Sequence, residues 1–519
     1  MKTEIKRFGL SALMLLIFAA AEQPAYPVKA RPDQPETPTT ASANYYVATD
    51  GSDTNDGSSA KPWRTIQKAA STVTAGATVH VRSGTYNEII AVANSGTAGA
   101  PITFDADTGA KVNIDGSGFT DGSVVHSGAG LFNLRHKSYI NVLGFNFVHS
   151  YGAGVVLDGG CHHITIGNNT FDSDFGWNPI LAWEWANDPN NRDLHDLEIY
   201  GSHIHRSFIT TPGHYRWLEK EKNDKPWAEM ISLRGEADIS IHDNMIDYNQ
   251  LGEGIALGYG THDAQIYGNM ISNTTSCAIY VDGSYAGGIE SSRVVQNIDI
   301  HHNRIHCPAG WAIALANEAV HDGTAGTDTV NIYNNVVHRS RQALAIGCWG
   351  PYWTGGESAF IRNVNVINST FYDCNIQGGV SVAINKAFDW DKKHPNITVS
   401  NVVFRNNLFF KGSVEIGTHG GNPIAAADHN GFDAKATVFG TDAVVSDPLF
   451  VNASKGDFHL SADSPFIDKG SAIGAPASDF DCLKRPQGAS FDIGAFEFTK
   501  IIVSRKEPIQ LKLRKENEK

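Results

Sequence analysis

The sequence predicts an all-β solenoid, a chain wound into stacked coils, and three observations carry that prediction. First, one short phrase of sequence recurs: Glu229-Met-Ile-Ser-Leu-Arg234, Glu253-Gly-Ile-Ala-Leu-Gly258, Cys277-Ala-Ile-Tyr-Val-Asp282 and Trp311-Ala-Ile-Ala-Leu-Ala316. Second, each of the first three copies is followed by another short apolar run ending in asparagine, as in Ile239-Ser-Ile-His-Asp-Asn244 and Ile298-Asp-Ile-His-His-Asn303. Units this short cannot bury an apolar side alone, so successive copies must stack. Third, aligning the second runs puts Asn169, Ser202, Asn244, Asn269, Asn303, Asn335, Ser369 and Asn407 at one position. One polar side chain per coil at one corner can hydrogen-bond along the stack and satisfy turn backbone shielded from water.

A β-propeller is the main rival for a repeat of this length. The usual propeller marks are absent and the spacing is irregular, which suits a parallel β-helix whose turns accept insertions on one side. Composition agrees: 51 glycines, 10% aromatic and only 18% charged residues in 519 describe a turn-rich β protein. A formal charge of −14 argues against nucleic acid as a partner, because neutralising phosphates needs a basic face.

In chain order, residues 1–21 read as a secretory signal: a charged start, then an apolar run from Phe8 to Ala21 that is short for a membrane span, ending in small residues. Export to the periplasm or medium of a bacterium follows, with no membrane attachment once the signal is removed. Residues 22–43, rich in proline and then in Thr and Ala, read as a flexible linker.

The ordered domain, 44–498, opens with Tyr45-Tyr-Val-Ala-Thr-Asp-Gly-Ser-Asp-Thr-Asn-Asp-Gly57, Pro62-Trp-Arg-Thr-Ile-Gln-Lys-Ala-Ala70 and Val79-His-Val-Arg-Ser-Gly-Thr-Tyr-Asn-Glu88. This opening resembles the entry module of exported right-handed parallel β-helix proteins of the pectate-lyase-like class. The resemblance implies that a short helix within Ile66 to Val73 caps the first coil, and an open solenoid end needs such a cover on physical grounds too. Asp50, Asp53 and Asp56 are read as turn formers, their spacing being foreign to a calcium loop. The closing stretch from Ser446-Asp-Pro-Leu-Phe450 to Asp492-Ile-Gly-Ala-Phe-Glu497 is similar to the C-terminal cap of the same class. Residues 499–519 form a basic solvated tail. The six cysteines have no metal-type spacing and are given no pairing. His242, His301, His302 and His338 read as residues of a repeated corner.

On a strand, alternate side chains face opposite ways, so the middle and following residues of each Ile-x-Leu triplet face out. Stacking then gives an outward column of Arg135, Asp158, Glu184, Arg234, Gly258, Asp282 and Ala316, with Glu229 above Glu253 just before the triplets. Carboxylates stacked at strand spacing repel unless protonated, salt-bridged or bound to metal, which marks the column as a candidate site on a polysaccharide. The resemblance implies that Asp158, Glu184 and Asp282 hold calcium, that Arg234 is the base of a β-elimination on an acidic, uronate-containing glycan, and that Glu229 and Glu253 assist. Calcium would also let an acidic protein hold a polyanion. The same carboxylates suit a glycoside hydrolase, with Glu229 and Glu253, or Glu253 and Asp282, as the acid and nucleophile pair. A third possibility is a glycan-binding or surface protein without catalysis, in which these acids are merely solvated. Substrate contacts are expected from Arg135, Trp183, Trp185, His214, Tyr215, Arg216 and Trp349, whose rings and cations suit sugars and their acid groups. The expected assembly is a monomer.

Overall fold

The computed structural model describes residues 43–500 except 120–129, 151, 173–177, 184–193, 206–228, 250–251, 285–293, 318–325, 348–358, 376–380, 385–396, 417–421 and 437. The expected signal, the linker as far as residue 42 and the tail beyond Lys500 therefore lie outside the described residues.

Each coil contributes one strand to each of three parallel sheets. The first has 13 strands, from Ala43–Val47 to Ile424–Asp428; the second has 11, from Ile90–Ala91 to Val414–Ile416; the third has 13, from Gly84–Tyr86 to Val444–Val445. The repeated triplets stack in register, Ile231 on Ile255 on Ile279 on Ile313. All four are fully buried, so like side chains fill the axis of the solenoid. The strands alternate inward and outward as a half-buried strand should, for example buried Ile239 and Ile241 around half-buried Ser240.

The asparagine ladder is present. Asn269 Nδ2 donates to Ile241 O (2.9 Å) in one neighbouring coil and to Asn303 Oδ1 (3.1 Å) in the other, and Asn303 repeats this with Ile266 O (2.8 Å) and Asn335 Oδ1 (3.1 Å). Ser202 and Ser369 serve as shorter rungs, their hydroxyls accepting from the Asn169 and Asn335 amides, and Asn430 extends the row. The residue before each rung turns the corner with a left-handed backbone, which explains Asn168, Gly201, Asp243, Gly268, His302, Asn334, Asn368 and Asn406 there. His302 thus belongs to the corner, as expected. His242 and His301 instead end first-sheet strands, in a ring stack of Tyr200, His242, Tyr267, His301 and Tyr333 with centroids 4.7 to 5.6 Å apart.

At the entry, helix Ile66–Thr72 buries Ile66, Ala69 and Ala70 over the first coil. Thr65 caps it by accepting from Lys68 N, and the Glu88 carboxylate accepts from Ile66 N and Gln67 N at its positive end. Asp53 accepts from Arg64 N and Thr65 N, and Asp56 from Ser58 N, the work of turn residues.

The closing segment lies along the flank of the solenoid. Phe458, Ala495 and Phe496 pack on Val336 and Tyr372, while Leu460, Phe466 and Ile493 pack on Leu408. It also covers the left-handed corner: Asn334 Nδ2 donates to Ser478 O (2.7 Å), Asn368 Nδ2 to Asp492 O (3.1 Å) and Asn406 Nδ2 to Ser471 O (2.8 Å). A fully buried Arg485–Glu497 ion pair holds the segment together. Cys161, Cys307 and Cys374 pack in the core as apolar residues, and no disulfide occurs among the described residues. No described helix is long and apolar enough to cross a membrane.

Candidate active site

The second sheet turns its outer face away from the axis, and two columns of side chains run across its strands. Just before the strands, Glu229 stacks between Asn178 and Glu253, a consequence of the pairing of Ile180 with Ile231 and of Ile231 with Ile255. At the strand ends, Asp158, Trp183, Arg234, Gly258 and Asp282 follow one another. Trp183 pairs with Arg234, so the column position expected for Glu184 belongs to Trp183. The earlier alignment slipped by one residue, which on a strand sends a side chain to the other face. Glu184 itself lies outside the described residues, as do Trp185, His214, Tyr215, Arg216 and Trp349.

Arg234 and Glu229 come together. Arg234 Nη2 lies 2.8 Å from Glu229 Oε1, and Asn178 Nδ2 donates to Glu229 Oε2 at 2.7 Å. Both members of the ion pair are buried, at 9% and 8% exposure. Gly258 makes room for it: a Cβ there would stand 2.3 Å from Arg234 Nη1. The guanidinium therefore lies over Gly258, with the ring centroid of Tyr259 5.3 Å away. Burial works against its charge, yet Glu229, Asp282, Tyr259 and Tyr280 together hold Arg234 above the ordinary arginine value. Arg234 is thus held as the cationic partner of Glu229. Its Nη1 is buried and has no hydrogen-bond partner among the described residues, a donor suited to an anion.

Glu253, one coil beyond Glu229, is also buried, and its Oε1 accepts from Ser276 Oγ at 2.9 Å. Glu229 and Glu253 thus stand at matching positions of adjacent coils, the first paired with Arg234.

The expected calcium ligands are not brought together. Asp158 and Asp282 are separated by four strand steps, about 19 Å at ~4.8 Å per step, and cannot share one ion. Asp158 Oδ2 meets Arg135 Nε at 3.2 Å, whereas Asp282 accepts from Ser284 N at 3.0 Å and from the Ser284 hydroxyl. These residues do not fit a shared calcium site, and Arg135 is a partner of Asp158 at one end of the column.

Asn178, Tyr259, Ser276 and Tyr280 were not singled out from sequence, and Gly258 was placed in the column without a role. Asn178 had a usable signal: aligning Ile180-Leu-Ala-Trp183 with Ile231-Ser-Leu-Arg234 puts it at the position of Glu229.

The fold is a parallel β-helix, similar to that of the pectate-lyase-like class. Residues 45–176 match the family model described as Pel9A-like, right handed beta helix region. The uncharacterized protein YwoF of Bacillus subtilis (strain 168) is 23% identical over 481 residues, 81% of this chain and 91% of that protein. Pectate lyase PEL9 of Emericella nidulans is 34% identical over 110 residues, 20% of this chain and 27% of that enzyme. Among solved structures, the Yersinia enterocolitica family 28 exopolygalacturonase shares the fold with a TM-score of 0.52 at 12% identity, over 78% of this chain and 79% of that one.

Proposed function

We propose that the protein is an exported enzyme that hydrolyses an acidic polysaccharide with Glu229 as nucleophile and Glu253 as general acid. The observation that carries this reading is the stacked pair itself: two buried carboxylates on adjacent coils, the first of them paired with the Arg234 cation. Retaining glycosidases carry their two carboxyl groups about 5–5.5 Å apart, a separation that side chains on neighbouring coils can provide. Glu229, held by the Arg234 cation, takes the nucleophile's role, and Glu253 takes the acid's.

Glu253 gives its proton to the departing glycosidic oxygen while the Glu229 carboxylate attacks the anomeric carbon, and the glycosidic bond breaks. A water molecule then attacks the glycosyl ester and gives its proton to Glu253, which releases Glu229 and restores both groups. Arg234 and Asn178 hold Glu229 in place, and the remaining guanidinium nitrogen suits a uronate carboxylate of the substrate.

A β-elimination remains the second reading, supported by the 34% identity to a pectate lyase over 110 residues. A panel of uronic-acid polymers separates the two. New reducing ends without ultraviolet absorbance, unchanged by a calcium chelator, are expected. Absorbance of an unsaturated product that disappears with the chelator would establish the lyase instead. Binding of a polymer with no cleavage of either kind would leave a glycan-binding protein.

A further inference from the structure

A separate cluster of imidazoles gathers where the second sheet hands over to the first, four residues beyond Asp158. His162 and His163 open the strand His162–Gly167, and His195 and Asp196 open its neighbour His195–Tyr200, with His162 in register with His195. Successive strand residues ordinarily face opposite ways. Here His163 and Asp196 take left-handed backbones, φ 54° and 55°, and the alternation is broken. His162 Nδ1 lies 2.9 Å from His163 Nδ1, His163 Nδ1 3.4 Å from Asp196 Oδ2, and His195 Nδ1 2.6 Å from the same Oδ2. The ligand atoms of His163, His195 and Asp196 all lie within 4.8 Å of one another.

We propose that His163, His195 and Asp196 bind a divalent transition-metal ion of the zinc class, leaving a fourth position open. In tetrahedral zinc sites, metal–ligand distances of about 2.05 Å make the donor–donor edges about 3.3 Å. The His195–Asp196 and His163–Asp196 separations of 2.6 and 3.4 Å need shifts of less than an ångström to reach that, and the third edge lies within 4.8 Å. Two nitrogens and one oxygen disfavour calcium and magnesium, which take oxygen ligands. A repeat of the corner shows the simpler arrangement: His262 meets Asp263 at 2.8 Å as a single pair. The ion would clasp two successive coils beside the outward column, and this inference does not depend on the hydrolase reading.

The test uses the full chain, stripped with a chelator, dialysed and titrated with Co²⁺ alone for its visible spectrum and with Zn²⁺ alone by calorimetry and thermal melting. One equivalent of Co²⁺ should give the intense visible bands of a tetrahedral site, and Zn²⁺ should raise the melting temperature by mass action. The His163→Ala/His195→Ala variant should lose at least about 10²-fold in affinity, and the less disruptive Asp196→Asn should weaken binding in parallel. Changing the other His–Asp group, by His203→Ala/His205→Ala, should leave the Co²⁺ spectrum intact. Absence of a Co²⁺ spectrum and of Zn²⁺ heat in the unaltered protein would overturn the proposal. So would equal binding by the His163→Ala/His195→Ala variant, or loss of binding only in the His203→Ala/His205→Ala variant.

Discussion

Arg234 is worth more to this site as a fixed cation than as a reactive group. Its pairing with Glu229 is buried, and removing one partner of such a pair typically costs about 3–5 kcal/mol because the other charge is left stranded. Arg234→Ala should therefore lower both stability and turnover, which makes it a blunt probe. Gly258→Ala is sharper: its Cβ would need the space of Arg234 Nη1, so the guanidinium must swing away from Glu229. Turnover should fall more than tenfold while denaturant unfolding shows a loss of about 1–3 kcal/mol. Unchanged kinetics would show that the placement of Arg234 does not matter. Glu253→Gln should keep the fold and lower turnover by roughly 10²–10⁴-fold, the usual worth of a general acid. The acids Glu229 and Glu253 were legible in the sequence because they recur at one place in two copies. The Arg234–Glu229 contact was not, since it depends on a guanidinium reaching over a glycine in the next coil.

At the scale of the element, the ladder is one interaction repeated. Asn303 accepts from Asn269 N and Nδ2, and donates to Ile266 O and Asn335 Oδ1, all buried. Asn303→Ala strands several of these groups and should cost at least about 2 kcal/mol, read as a lower melting temperature. Asn303→Ser should recover part of the loss, because Ser202 and Ser369 already act as rungs. The ladder was readable because every coil makes the same demand at the same corner. Glu184 was misplaced because a strand position carries no marker once its copy departs from the Ile-x-Leu pattern, and only pairing with Arg234 reveals that Trp183 fills the column.

The flank segment adds a pH dependence. Burial works against protonation of His459, but its hydrogen bonds to Asp457 and Asp481 raise it to about 9. A histidine raised above its unfolded value of about 6.5 contributes fully below that value, and the contribution fades as pH rises through about 9. Stability should therefore fall from about pH 6.5 to 9.5, and the fall should be smaller in His459→Gln. An equal slope in the two proteins would remove His459 from the explanation.

Across the whole molecule, winding turns residues far apart in the chain into neighbours, and a formal charge of −14 surrounds the one buried arginine of the site. If the substrate is a polyanion, long-range repulsion opposes its approach while the Arg234 contact favours it. Raising ionic strength from about 0.01 to 0.15 M should screen the first more than the second and lower KM. A KM that rises with salt would point to a different mode of recognition. The solenoid and its entry helix were predictable because stacking is dictated by period and apolar content. The lateral course of the closing segment was not, because its docking residues Asn334, Asn368 and Asn406 look in sequence like ordinary corner asparagines.

The pairing of Glu229 with Glu253 is tested most directly by following the first product of cleavage by proton NMR, before the sugar mutarotates. Two carboxyl groups one coil apart predict a product that keeps the anomeric configuration of the substrate, with no new double bond. An inverted anomer, or the vinylic signal of an unsaturated sugar, would contradict this assignment of the two acids.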